Sequence, residues 1–262
     1  MTTASATSSL SSPIPPPPLA LLPFEVRAWL ELVGLVPALP ALRSAPTGDG
    51  HPVLVLPGYL SDDVSTRVLR WFLRDRGYHV HGWRCGRNLG PSPEILQALG
   101  RRFLEIRERH GERISLVGWS LGGIFARELA RTFPDAVRQV VTLASPFRDV
   151  SATTVGRLAA FGLGPLPTPH IAAIAERLRE PLPVPTTSIF SRTDGIVAWR
   201  SCLEQPGEQR ENVEVMASHC GMGHHPAALL VVADRLAQPK GTWRPFEPRG
   251  WSVVPGLRAV VR

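Results

Sequence analysis

Three residue types at loop positions could together activate an oxygen nucleophile: a serine, a histidine and a carboxylate. Ser120 lies in Gly118-Trp119-Ser120-Leu121-Gly122, the pattern G-x-S-x-G. An apolar run, Ile114 to Val117, precedes it, and I-F-A-R-E-L-A-R-T-F follows. Strand, sharp turn and helix in that order would lift the hydroxyl above a sheet edge. The flanking glycines remove Cβ atoms that would collide with strand and helix. The helix would aim its first N–H groups at charge developing near the hydroxyl. Alone, the pentapeptide is a modest signal, because a glycine-rich turn with an idle serine reads the same.

A serine hydroxyl attacks well only when an imidazole takes its proton and a carboxylate orients that imidazole. With an elbow serine the chain order is Ser, acid, His. Asp194 comes four residues after the apolar run Thr186 to Phe190, and His219 three residues after the run Asn212 to Met216. Both positions are where loops leave strand ends. Asp194-Gly195 is also an ordinary turn pair, and Asp149, after the preceding strand, is a rival acid. His224 and His225 compete with His219, although His225 precedes Pro226 and suits a helix start. Position relative to the strand end favours Asp194 and His219. His51, His79, His81 and His110 fall elsewhere in the pattern and read as structural or exposed. Two backbone N–H groups must hold the oxyanion. Leu121 supplies one. Tyr59, in Pro57-Gly58-Tyr59-Leu60, supplies the other, with Leu60 second.

The elements that must position these groups alternate in type. Strands are expected at His51–Pro57, Tyr78–Arg84, Ile114–Val117, Ala136–Ala144, Thr186–Phe190 and Asn212–Met216. Helices are expected from Ser61 or Asp62 to Arg76, Glu94 to Arg109, after Ser120, and Pro226 to Leu236. Near-continuous apolar strands alternating with helices imply a mostly parallel sheet flanked by helices on both faces. Phe147 to Pro185 breaks the pattern with two short apolar helical pieces, Thr153–Phe161 and His170–Arg179, and reads as a helical lid over the C-terminal sheet edge. In Leu19–Val36, Leu22, Val26, Trp29, Leu30 and Val33 recur at helical spacing. This predicts a helix packed on the body, or one that rests on lipid. The division is residues 1–18 as a Pro/Ser-rich tail, 19–50 as N-terminal helix and Pro/Gly connector, 51–238 as the α/β domain with the lid at about 147–185, and 239–262 as a tail.

At 262 residues, 44% of them hydrophobic, the chain can bury a large single core. The net charge is +7, and almost all the basicity is arginine, Lys240 being the only lysine. The arginines are scattered, which argues against nucleic acid as partner and leaves attraction to anionic lipid open. Cys85, Cys202 and Cys220 are too few and too far apart for a disulfide framework. No apolar run reaches the length of a membrane span, and the first residues lack the basic stretch of a secretory signal. The expected setting is cytoplasmic, with peripheral membrane contact through the N-terminal helix.

The segments V-L-V-L-P-G-Y, V-G-W-S-L-G-G, S-R-T-D-G-I-V and S-H-C-G-M-G-H-H-P together resemble the α/β-hydrolase superfamily. Within it they look most like bacterial serine esterases and lipases, including lipase-like hydrolases related to inositol deacylases. The resemblance runs from about His51 to Leu236. It implies the α/β-hydrolase fold. No cofactor is expected, and no metal, since no His/Cys/Asp cluster has ligand spacing beyond the run from His219 to His225. The resemblance also implies the catalytic histidine in the S-H-x-G-[LM] element, which is His219 here. Many lipases carry His-Gly before the oxyanion donor where this chain has Pro57-Gly58, a change the backbone role survives. The expected activity is hydrolysis of small-molecule or lipid carboxylic esters with a hydrophobic acyl group, by way of an acyl-enzyme. An acyltransferase using the same triad, or a non-catalytic lipid-binding module on this scaffold, are the alternatives.

Overall fold

The computed structural model describes residues 13–160, 176–248, 254 and 256–261. Two short helices, α1 (Ala28–Val33) and α2 (Leu35–Arg43), follow a 3-10 turn at Leu19–Arg27 and precede the sheet. Six strands are parallel: β1 (Pro52–Leu56), β2 (His79–Gly82), β3 (Ile114–Trp119), β4 (Val137–Leu143), β5 (Thr186–Phe190) and β6 (Arg210–Val215). A seventh, β7 (Leu257–Val261), pairs antiparallel with β6. The order across the sheet is β2-β1-β3-β4-β5-β6-β7. The connecting helices are α3 (Arg67–Asp75), α4 (Pro93–His110), α5 (Leu121–Thr132), α6 (Thr154–Ala160) and α7 (Pro226–Leu236).

The central strands β1, β3, β4 and β5 are buried on both faces because helices cover both, and alternate side chains join opposite cores. Val53 and Val55 of β1 pack with Leu69, Phe72 and Leu73 of α3 and with the apolar residues of α7. Leu54 and Leu56 pack instead with Leu99, Phe103 and Ile106 of α4 and with Ile124 and Phe125 of α5. The chain runs outward from β1 to β2 and returns to β3 on the other side of β1. Adjacent crossovers therefore leave opposite faces between β1 and β3, and a crevice opens at their C-terminal ends. The Gly58–Leu60 loop and Ser120 stand at that crevice.

Several sequence expectations shift. The helix after β1 begins at Arg67, not at Ser61 or Asp62. Asp62 Oδ1 accepts from Val64 N, and the Asp63 carboxylate accepts from Trp83 N and Arg84 N, which holds the preceding residues in turns. The Pro/Gly connector after Val36 is partly helical. Pro37 lies in the first turn of α2, where no N–H is needed, and only Pro40 lies deeper. The C-terminal tail adds β7 and buries Phe246, whose N–H donates to Glu211 Oε2 at 2.7 Å; Trp251 lies outside the described residues. Of the two expected lid pieces the first is α6, and the second lies largely outside the described residues.

The N-terminal stripe differs most. The stripe of Leu22, Val26, Trp29, Leu30 and Val33, which the spacing allows either to pack on the body or to rest on lipid, faces solvent, with Trp29 72% and Leu30 73% exposed. Glu25 is buried instead, and Arg27 and Glu31 are partly buried, all three against the loops after β5 and β6. Leu22 and Val26 lie in the 3-10 turn, where a 3.6 period does not apply, whereas Trp29, Leu30 and Val33 lie in α1. The polar residues Arg27, just before α1, and Glu31, within it, are the ones that meet the loops.

Candidate active site

The turn from β3 into α5 is set by close backbone approach. A Cβ on Gly118 would strike Gly122 O and Gly123, and a Cβ on Gly122 would strike Leu56 O and Pro57 O. Ser120 sits at φ 52, ψ −121, a conformation that L-residues rarely adopt. Ser120 N donates to Leu143 O at 2.7 Å, which pins the strained residue to β4. Strand, elbow and helix thus stand where the sequence places them.

The loop from Pro57 to Leu60 packs directly on this turn. A Cβ on Gly58 would lie 3.2 Å from Ser120 Cβ. Leu60 N donates to Asn88 O at 2.7 Å, so its N–H is used, and Leu60 is itself left-handed at φ 59. Among the described residues Tyr59 N–H meets no protein acceptor. Leu121 N–H, the first of α5, has no helical acceptor. Buried Asn88 clamps this loop: its Nδ2 donates to Pro57 O at 2.9 Å and its N–H to Ser61 O at 2.8 Å. Sequence reasoning passed over Asn88, although a lone Asn in a Gly/Pro-rich loop is a turn signal.

Asp194 and His219 meet. His219 Nδ1 lies 2.8 Å from Asp194 Oδ2, and the residues are 7% and 3% exposed. Asp194 Oδ1 accepts from Ile196 N and Val197 N at 2.8 and 2.7 Å. Burial pulls the His219 pKa down, but the charge and hydrogen bond of Asp194, with Glu25 adding, outweigh it, and the net shift is upward. The rival residues are occupied elsewhere. Asp149 accepts from Ser151 N and Oγ and from Ile14 N. His224 Nε2 reaches Ala28 O at 2.9 Å, and His225 caps α7 by accepting from Ala227 N. His51 lies between Asp49 and Ser115. His81 and His110 pair at 2.9 Å.

Ser120, His219, Tyr59 and Leu121 all line one cavity of about 410 Å³, a volume typical of small-molecule sites. Its walls are largely apolar: Trp119, Ile124, Val150, Val155, Ile196 and Val197. Val150 and Val155 come from the inserted segment, which therefore forms one wall. Arg127 of α5 fixes both ends of that insertion. Its guanidinium lies 3.9 Å from the Phe147 ring centroid, it donates to Glu180 O at 2.9 Å, and it forms a buried ion pair with Glu204.

No family model matches the chain. Solved structures of similar fold include lipase B of Aspergillus fumigatus, with a TM-score of 0.58 and 17% identity over 76% of this chain and 57% of that one. The mature form of Bacillus licheniformis lipase BlEst2 matches with a TM-score of 0.56 and 14% identity, over 74% of this chain and 95% of that one. Mouse alpha/beta hydrolase domain-containing protein 10 matches at 0.51 and 18%, over 70% and 86%. This chain thus spans a little over half the length of the Aspergillus lipase. The strand order, the elbow between β3 and α5, and these likenesses agree: the chain has the α/β-hydrolase fold.

Proposed function

We propose that the protein is a serine hydrolase of carboxylic esters with a hydrophobic acyl group. The observation that carries this reading is the buried Asp194–His219 pair at the same apolar cavity as Ser120 on its strained elbow. Ser120 Oγ attacks the ester carbonyl while His219 Nε2 takes its proton. Asp194 holds the proton on Nδ1, which leaves Nε2 as the acceptor, and stabilises the imidazolium that forms. The N–H groups of Tyr59 and Leu121 hold the oxyanion of the tetrahedral intermediate. His219 then returns its proton to the leaving alcohol. Water, activated by the same imidazole, releases the acid from Ser120. The test is release of p-nitrophenol from short- and long-chain p-nitrophenyl esters by the pure protein and by Ser120→Ala. No release from either chain length sinks the reading, and capture of the acyl group by an added alcohol in preference to water turns it into a transferase.

The acyl group is hydrophobic because the walls of the cavity are. Lipid esters reach it from an anionic lipid surface that the N-terminal segment meets with its outward apolar face, Val26, Trp29, Leu30 and Val33. The net charge of +7 complements such a surface. No helix of the described residues is long and apolar enough to cross a membrane.

A further inference from the structure

One carboxylate touches both loops that carry the Asp194–His219 pair. Glu25 Oε1 accepts from Gly195 N at 2.8 Å and from His219 N at 3.1 Å, and Oε2 accepts from Cys220 N at 2.9 Å. Gly195 adjoins Asp194 in the loop after β5; His219 and Cys220 belong to the loop after β6. Neighbouring side chains repeat the pattern. Arg27 Nη2 donates to Thr193 O and Oγ1, both at 2.8 Å. Glu31 accepts from Ser218 N at 2.8 Å and from Ser218 Oγ at 2.6 Å. All three acceptors or donors come from a segment more than 160 residues earlier in the chain.

The loops are shaped to receive this segment. A Cβ on Gly195 would lie 2.6 Å from Leu21 O, and a Cβ on Gly221 would overlap the Glu31 carboxylate. Gly195 therefore does more than complete an Asp-Gly turn. A buried N–H left without an acceptor is costly, so three donors converging on Glu25 select one relative position of the two loops.

We infer that Glu25 is a positioning residue: from the N-terminal segment it staples the acid loop to the base loop and so fixes the Asp194–His219 geometry. This rests on the ester-hydrolase reading above. Glu25 touches no reacting atom and acts through Gly195 and His219. Its charge also bears on the imidazole. The groups facing His219 are Asp194 from the loop after β5, Glu25 from the N-terminal segment, and the Trp119 indole, which donates to His219 O. Cys220 is uncharged, because burial, then Glu25, pushes its thiol up to about 12. The pKa of His225 is lowered, mainly by burial. The Arg27–Glu31 ion pair lies one layer behind. Removing the Glu25 charge therefore lowers the His219 pKa.

The test is the pH profile of ester hydrolysis by the full chain as wild type, Glu25→Gln and Glu25→Asp. Gln keeps the length but loses the charge and one acceptor; Asp keeps the charge but loses reach. Glu25→Gln is expected to lower kcat about 10–100-fold with KM little changed, and to move the acid limb of kcat/KM to lower pH. Glu25→Asp is expected to lower kcat while leaving the acid limb near the wild-type position. Wild-type kcat and an unmoved limb in both variants overturn the staple. So does a Glu25→Gln chain with no cooperative unfolding transition, since Glu25 is then part of the core and not a positioning group. A wild type that neither hydrolyses ester nor takes a fluorophosphonate sinks the hydrolase reading itself. An active, labelled wild type beside unaffected Glu25 variants sinks the staple alone.

Discussion

Asp194 divides its two oxygens between two tasks: Oδ2 lies 2.8 Å from His219 Nδ1, while Oδ1 accepts the N–H groups of Ile196 and Val197. An asparagine at this position has only one acceptor oxygen, and the two backbone donors demand it. The amide nitrogen must then face Nδ1 and donate to it, which moves the imidazole proton to Nε2 and leaves nothing to take the serine proton. Asp194→Asn is expected to lower kcat by about 10⁴-fold, whereas Asp149→Asn leaves it unchanged. Steady-state hydrolysis of a p-nitrophenyl ester measures both, and a strong loss in Asp149→Asn with activity retained in Asp194→Asn would reassign the acid.

The upward shift of the His219 pKa has a definite sign in the pH profile. The base works in its neutral form, so activity is lost as pH falls through the folded-state pKa. That pKa lies above the ordinary 6.5, because Asp194 and Glu25 outweigh burial. The acid limb of kcat/KM is therefore expected to have its midpoint above 6.5. A midpoint below that value would mean that burial wins and that the carboxylates do not reach the ring.

Asn88 tests the proposed role of the loop from Pro57 to Leu60 without touching a proposed reacting atom. Asn88→Ala deprives Pro57 O of its donor and loosens the turn that presents Tyr59 N–H. Leaving that carbonyl unsatisfied costs about 1–3 kcal/mol of stability. Activity is expected to fall in kcat with KM little changed. Thermal unfolding and steady-state kinetics on the same sample check the pair of effects, and a raised KM with intact kcat would place Asn88 in substrate binding.

The buried Arg127–Glu204 pair predicts an asymmetry in stability. Glu204→Leu alone strands the guanidinium and is expected to cost about 3–5 kcal/mol, while Arg127→Met with Glu204→Leu recovers most of that loss. Denaturant unfolding of the two chains measures the difference. Equal losses would mean that the contacts of Arg127 with Phe147 and Glu180 matter more than its charge.

The sheet, the elbow and the loop positions of Ser120, Asp194 and His219 were legible because each is a local signal. Apolar runs of strand length, a Gly-flanked serine and loop residues just past strand ends are all encoded within a few neighbours. The N-terminal segment was not legible. The periodicity of Leu22, Val26, Trp29, Leu30 and Val33 is real, but it says nothing about which side faces the protein. That was decided by backbone N–H groups of Gly195, Ser218, His219 and Cys220, whose need for acceptors arises only once distant loops are in place. Asn88 escaped notice for the same reason, since its partners Pro57 and Leu60 lie across the sheet edge. In β7, Asn212↔Val261 pairing joins residues at the far end of the chain to β6, a contact that no local pattern announces.

The orientation of that segment makes a prediction of its own. Trp29→Ser with Leu30→Ser removes exposed side chains, so stability should change by no more than about 0.5 kcal/mol. Burial of the same tryptophan would have made its loss cost about 3–5 kcal/mol. The double variant is expected to bind vesicles of phosphatidylcholine and phosphatidylglycerol more weakly than wild type in a sedimentation assay. Unchanged binding would remove the lipid surface as the occupant of this face.

The central claim is that Ser120 is a nucleophile activated by His219. Labelling with a fluorophosphonate probe, followed by peptide mapping, addresses it directly. The account predicts stoichiometric modification of Ser120 in the wild type, none in Ser120→Ala and strongly slowed modification in His219→Ala. An unlabelled wild type, or labelling that persists in Ser120→Ala, would contradict it.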